Sequence, residues 1–486
     1  MSVRPIIGVL LAVFIAAAVL RAEERNVWPL SVQQLNAAGT VTSGEYLGPL
    51  LYEVNQPDGG RRTGFRPVYQ HSVQGTNETS YLFYPFFTWQ KDTHYSYFSF
   101  LSLINSRKVA DVGPYPASNF DIWPFYFSRT TTEPGESYSA FFPFGGTIQR
   151  RLGKGKINFV LFPLYSHVET DIKHTTNILW PIFRSIDGNG AQGFEVWPLI
   201  GQQGRPGDYS SSFMLWPLVY HTAKKLSEPV PEEKLGLLPF YARETAPGYI
   251  SETYAWPFFG YTHRTEPYRY DEQRYLWPFL VQGRGEQRQV NRWAPFYTHS
   301  IIKGYDKTWV GWPIFRHARW EEAGLAQEKN QFLMFVYWSL TQRSLTNPAA
   351  APAHKTHVWP LLSAWDNGAG RKQLQLLSPL EVFFQQNEPI RQIYSPLFAI
   401  YRWDQRAPGD VRGSLLFSLV SWKTSPAGQE FHLGPLFSRT ATAEKSRFTI
   451  GCGLLAWQRQ SASGPWKFSV WDFKSAAQSP AAPPSS

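Results

Sequence analysis

The sequence predicts an all-β fold: a large antiparallel up-and-down sheet, closed or nearly closed like a flattened barrel, of about 24 repeats of roughly 19 residues. Three observations lead there. A Trp-Pro-Leu/Phe phrase recurs, as in Leu179-Trp180-Pro181-Ile182, Val196-Trp197-Pro198-Leu199, Leu215-Trp216-Pro217-Leu218, Ala255-Trp256-Pro257-Phe258 and Leu276-Trp277-Pro278-Phe279. Between the phrases lie turn-forming runs such as Asp187-Gly188-Asn189-Gly190 and Gly204-Arg205-Pro206-Gly207-Asp208, in which Gly supplies positive φ and Pro presets its own. No stretch sustains a helical period; Trp320 to Lys329 comes nearest.

Residues 1–22 read as a secretory signal: Arg4 is a short positive region, Pro5 to Leu20 an apolar core, and Ala22 a small residue before a cut. Residues 23–473 form the repeat region. Its marker prolines run from Pro29, Pro49, Pro67 and Pro85 through Pro217 to Pro379, Pro396 and Pro435, mostly about 17 to 22 residues apart. Proline-free equivalents such as Tyr97 to Ile104 and Leu415 to Val420 fill the doubled gaps. Residues 344–357 make the longest connection, a candidate sub-boundary, and the Pro/Ala/Ser tail at 474–486 has the composition of a disordered segment.

Proline cannot donate to a ladder, so it marks an edge, bend or corner. Two geometries satisfy the pattern. Each unit is one long strand kinked at its proline, or each interval between prolines is a hairpin and the Trp-Pro step is the corner to the next. Read at period two through the proline, Phe213, Leu215, Pro217 and Val219 share one apolar face. On this reading the tryptophan before each proline is core, removing about 150–250 Å² from water, worth about 4–6 kcal/mol.

Totals limit the function. With 43% hydrophobic and 16% aromatic residues the 486-residue chain can bury a large core, and its net charge of +10 favours acidic partners. The basic residues are scattered, which argues against nucleic acid. A single cysteine, Cys452, gives neither a disulfide framework nor a thiolate cluster.

The motifs carry little chemistry. Gly188-Asn189-Gly190-Ala191-Gln192-Gly193 matches the dinucleotide fingerprint in letters, but a strand follows where a helix is required, so it reads as a hairpin turn. His71, His167, His221, His299 and His317 each lie four residues after a marker proline, as Arg243, Gln282 and Arg439 do elsewhere; this is where a strand leaves its apolar zone. Glu232-Glu233, Asp271-Glu272 and Glu321-Glu322 read as solvated carboxylates in polar connections, and Asn77-Glu78-Thr79 fits a glycosylation acceptor. No residue is assigned as catalytic, cofactor-binding or metal-ligating.

The expectation is a non-enzymatic, exported cell-envelope protein, associated with the outer membrane as a barrel-like structural or transport protein. The alternative is a soluble secreted or periplasmic β-repeat binding module for an anionic glycan, lipid headgroup or protein partner. The signal-plus-repeat arrangement looks like that of bacterial envelope proteins in general and adds no site residue.

Overall fold

The prolines set the folding pattern. In the strand Tyr209–Met214, Met214 pairs with Val219 of Val219–Lys224, which leaves Leu215-Trp216-Pro217-Leu218 as a four-residue turn. The Trp216–Pro217 peptide is cis, and the Leu218 amide donates to the Leu215 carbonyl at 2.8 Å, the arrangement of a type VI turn. The same turn forms at Trp123–Pro124, Trp180–Pro181, Trp197–Pro198, Trp256–Pro257 and Trp277–Pro278. Many turns at the other end of the strands are built on glycine: Asn189 and the glycines on either side of it, Gly188 and Gly190, all have positive φ between Phe183–Asp187 and Gln192–Val196. The hairpin geometry is therefore the one adopted, with proline turns and glycine turns at opposite strand ends.

The computed structural model describes residues 23–472, apart from 37–38, 57, 110–115 and 385–386; the signal and tail assignments lie outside the described residues. Among them are 45 strands and two short helices, α1 (Glu388–Ile393) and α2 (Ser395–Phe398). The chain divides into two compact units, Trp89–Met334 and the pair Met1–Thr88 with Phe335–Ser486. In the Trp89–Met334 unit every strand from Tyr95–Phe100 to Leu325–Phe332 pairs antiparallel with its neighbour in sequence. The other unit holds two such meanders, Glu23–Val27 to Asn77–Leu82 and Tyr337–Ser344 to Lys467–Val470.

Four expectations are corrected. The sheet is not closed: among the described residues Glu23–Val27 pairs only with Ser31–Leu35, and Lys467–Val470 only with Leu455–Arg459. A barrel needs its first and last strands joined in one ladder, so the barrel-like fold and the outer-membrane location argued from it fall. No regular 19-residue repeat governs the chain. The strands are short and uneven, as in the four residues of Tyr138–Phe141 and the eight of Phe315–Glu322, and the connections vary from two residues between Tyr241–Ala246 and Tyr249–Tyr254 to seven between Val219–Lys224 and Glu232–Leu237. Pro396 lies inside α2 and in no turn. The stretch from Trp320 to Lys329 is parts of two paired strands, Phe315–Glu322 and Leu325–Phe332.

The turn tryptophans are not core. Trp216 is 46% exposed and Trp312 56%. Reading period two through the proline fails because the chain reverses there. Among the described residues of the Trp89–Met334 unit one buried apolar cluster forms around Phe127, Tyr138, Ile148 and Phe159, and further buried residues such as Tyr270, Val281 and Val290 lie outside it. Packing elsewhere runs across the ladder. The rings of Phe213 and Tyr220 lie over Gly201 and Gly236, the residues directly opposite them, and a side chain on either glycine would collide with the ring.

Candidate functional site

The free edge of Glu23–Val27 is held by side chains in place of a ladder. The Glu24 amide donates to the Glu430 carboxylate at 2.9 Å, and Asn26 Nδ2 donates to the Ser418 carbonyl at 2.8 Å and to Ser421 Oγ at 3.0 Å. The Glu24 carboxylate accepts from Arg412 Nε at 2.8 Å and from Ser421 Oγ at 2.5 Å. Burial alone would raise the Glu24 pKa, but the charges of Arg412 and His432 and the Arg412 and Ser421 hydrogen bonds outweigh it and hold the group at about 2. Burial likewise works against the Arg412 charge, and Glu24 more than offsets it, leaving the guanidinium pKa raised. Strands from near both ends of the chain are thereby fixed together within one unit.

Beside this clamp lies a cavity of about 390 Å³. One wall comes from Ser31–Leu35, Val41–Tyr46 and Leu51–Asn55, the other from Leu362–Asp366, Lys372–Leu376, Tyr401–Ala407 and Asp410–Leu415. Six basic side chains line it, Arg66, Arg371, Lys372, Arg402, Arg406 and Arg412, against three carboxylates, Glu45, Glu53 and Asp404: an excess of three positive charges. A second cavity of about 260 Å³ shares Tyr52, Arg66 and Arg402 with the first and runs to α1 and α2, adding Arg62 and Arg391 along with Glu381 and Glu388. Asn387 caps α1, its Oδ1 accepting from the Ile390 amide at 3.0 Å.

Much of this basic lining is fixed before any ligand arrives. Arg66 is buried, donating through Nη1 to Glu45 at 3.0 Å and the Pro49 carbonyl at 2.7 Å, and through Nε to the Gln392 carbonyl at 3.1 Å. Its guanidinium lies 3.9 Å above the Tyr52 ring, and burial lowers its pKa. Burial pushes the Tyr52 phenol up to about 12 against the pull of Arg66 and Arg62, so it stays protonated and donates to Gln70 Oε1 at 2.6 Å. Arg402 grips Asp404 with two nitrogens at 2.7 and 3.3 Å. Lys372 pairs with Asp366 at 2.8 Å. Arg371 and Arg406 make no ion pair among the described residues; Arg406 donates to Gln34 Oε1 at 2.9 Å. Trp365 adds an indole wall, its Nε1 donating to Gln373 at 3.0 Å.

The histidines singled out in the sequence are not brought together. His71 bonds Ser80 at 2.9 Å, His167 bonds Thr176 at 3.0 Å, His299 bonds Asp306 at 2.9 Å and His317 bonds Glu328 at 3.0 Å, each to the next strand. His221 sits in Val219–Lys224 opposite Leu235. The carboxylate pairs lie in strands and not in connections: Glu232-Glu233 in Glu232–Leu237, Asp271-Glu272 in Tyr270–Leu276, and Glu321-Glu322 at the end of Phe315–Glu322. Glu272 is buried and accepts from the Tyr270 hydroxyl at 2.5 Å. The run Gly188 to Gly193 is a turn opening a strand, with Ile186 opposite Gly193, and Asn77 begins the strand Asn77–Leu82.

The basic cleft was missed because its walls are more than three hundred residues apart in sequence. The helices beside it did leave a signal: Asn387-Glu388-Pro389 supplies a cap, a first-turn acid and an early proline. No protein-family model and no curated protein matches the chain.

Proposed function

We propose that the chain is a non-enzymatic binding module that takes an anionic saccharide in the basic cleft. The two cationic side chains of that cleft that make no ion pair among the described residues, Arg371 and Arg406, carry the reading. Arg66, Arg402 and Arg412 are already oriented by carboxylates and carbonyls, so a ligand meets a preset field. Arg371 and Arg406, without an ion pair among the described residues, are the side chains placed to take up a carboxylate or sulfate group. Trp365 offers a flat apolar face against which a sugar ring stacks. The cavity, at about 390 Å³, falls within the size range of small-molecule sites. The transport reading is not retained, since it rested on a closed sheet.

Calorimetric titration with uronic-acid oligosaccharides and their neutral counterparts tests this. The acidic series binds, weakens as salt rises, and loses about tenfold in affinity in Arg371→Ala/Arg406→Ala. Equal binding of both series, or an unchanged affinity in the double variant, would overturn the reading.

A further inference from the structure

In the Trp89–Met334 unit, all twelve turns at one end of the meander, from that after Tyr95–Phe100 to that after Tyr305–Val310, lack a charged residue. Phe240 is 72% exposed and Phe296 77%, and the turn tryptophans are open to solvent. The strand residues flanking each turn continue the apolar band, as with Met214 and Val219 or Ile178 and Phe183. Most turns at the other strand ends carry charge, including Asp171, Lys173, Lys225, Glu228, Glu266 and Arg269, while four short ones, such as Pro247-Gly248 and Ala323-Gly324, do not. A contiguous exposed apolar band of this length marks an interaction surface.

We infer that this rim docks the protein on a lipid surface, with the turns inserted among the headgroups and the sheet not crossing the bilayer. The choice between lipid and protein follows from hydrogen bonding. A specific protein interface carries about one hydrogen bond per 100–200 Å². Here Ser102 and the indole N–H groups are the only side-chain hydrogen-bonding groups in the turns. The turn amides are already occupied, as where Leu215 N donates to the Leu199 carbonyl and Trp216 N to the Pro198 carbonyl, both at 2.7 Å. Such a rim cannot fix a partner's register, and a lipid surface has none. From turn tip to flanking residue is two to three residues, about 7–10 Å at strand rise, which matches the depth reached by interfacial elements. Tryptophan is favoured at that depth.

Charge fits the same occupant. One residue behind the apolar band lie Arg292 and Arg316, next to Trp293 and Phe315, and neither makes an ion pair among the described residues. Arg316 is held by Gln331 at 2.9 Å and the Tyr305 hydroxyl at 2.7 Å. The carboxylates at that depth, Asp121 and Glu195, are buried and neutralised by Arg151 and Arg184. The charge offered to headgroup phosphates is therefore positive.

Sedimentation of the full chain with phosphatidylcholine vesicles, with and without phosphatidylglycerol, tests the inference. The protein pellets with vesicles, more strongly with the anionic lipid, and its tryptophan emission shifts blue and is quenched by bromine-labelled acyl chains. Trp197→Glu/Trp216→Glu/Trp256→Glu, which alters only exposed turn residues, lowers vesicle affinity about tenfold or more; an unchanged circular-dichroism melt shows that the fold is kept. Absence of co-sedimentation with either vesicle overturns the inference. So does equal binding by the triple variant, or self-association that buries the tryptophans without lipid. The acyl-chain quenching and the loss in the triple variant do not depend on the saccharide cleft, which lies in the other unit.

Discussion

Glu24 joins strands from near both ends of the chain through a buried ion pair with Arg412. Its pKa falls from an ordinary 4.5 to about 2, so the folded state binds fewer protons than the unfolded state between those values. Its stabilisation is complete above about pH 4.5, shrinks as pH falls toward 2, and is gone below that, amounting to about 3 kcal/mol. Urea unfolding of the native protein should therefore weaken steeply from pH 4.5 to 2. Glu24→Gln should flatten that dependence and cost about 3–5 kcal/mol at neutral pH, because Arg412 is left buried without its counter-charge. Glu24→Gln/Arg412→Met, which removes the stranded charge, should recover much of the loss. An acid profile unchanged in Glu24→Gln would assign the pH dependence to other groups.

At the scale of strands and turns, packing depends on what lies across the ladder. Tyr220 and Gly236 are directly opposed, and the ring occupies the space that a Cβ on Gly236 would need. Gly236→Ala should therefore destabilise the protein by about 1–3 kcal/mol, read from its denaturation midpoint. In a Tyr220→Ala background the same substitution should cost much less, since the obstruction is gone. Equal costs in both backgrounds would show that strand conformation, and not the ring, excludes a side chain at 236. Elements were largely legible in the sequence: the prolines marked one set of turns, the Gly/Asn/Asp runs marked many of the other, and the described residues are all but devoid of helix. Trp216 was misread because alternation was carried through Pro217, where the chain turns back. The cleft was illegible for a different reason. Arg66 and Arg402 converge only through tertiary packing, and no local pattern reports such an approach.

Over the whole Trp89–Met334 unit, one topological fact governs stability. Each described ladder joins strands adjacent in sequence, and the core cluster spans only Phe127 to Phe159. Contacts of this kind make stability close to a sum of local and nearest-neighbour terms, so opening can begin at several places and spread. The unit that holds the cleft differs, because Glu24, Asn26 and Arg412 tie residues about four hundred positions apart. Hydrogen exchange followed peptide by peptide along a urea series should separate the two behaviours. Peptides from 89–334 should lose protection over a broad range of urea, with those around Tyr138 to Phe159 protected longest. Peptides carrying Glu24 and Arg412 should lose protection together, in a narrow range that Glu24→Gln moves to lower urea. A single midpoint shared by every peptide, with an m-value scaling to the full 486 residues, would mean that the meander unfolds as one cooperative body. The additive description drawn from its nearest-neighbour ladders would then be wrong.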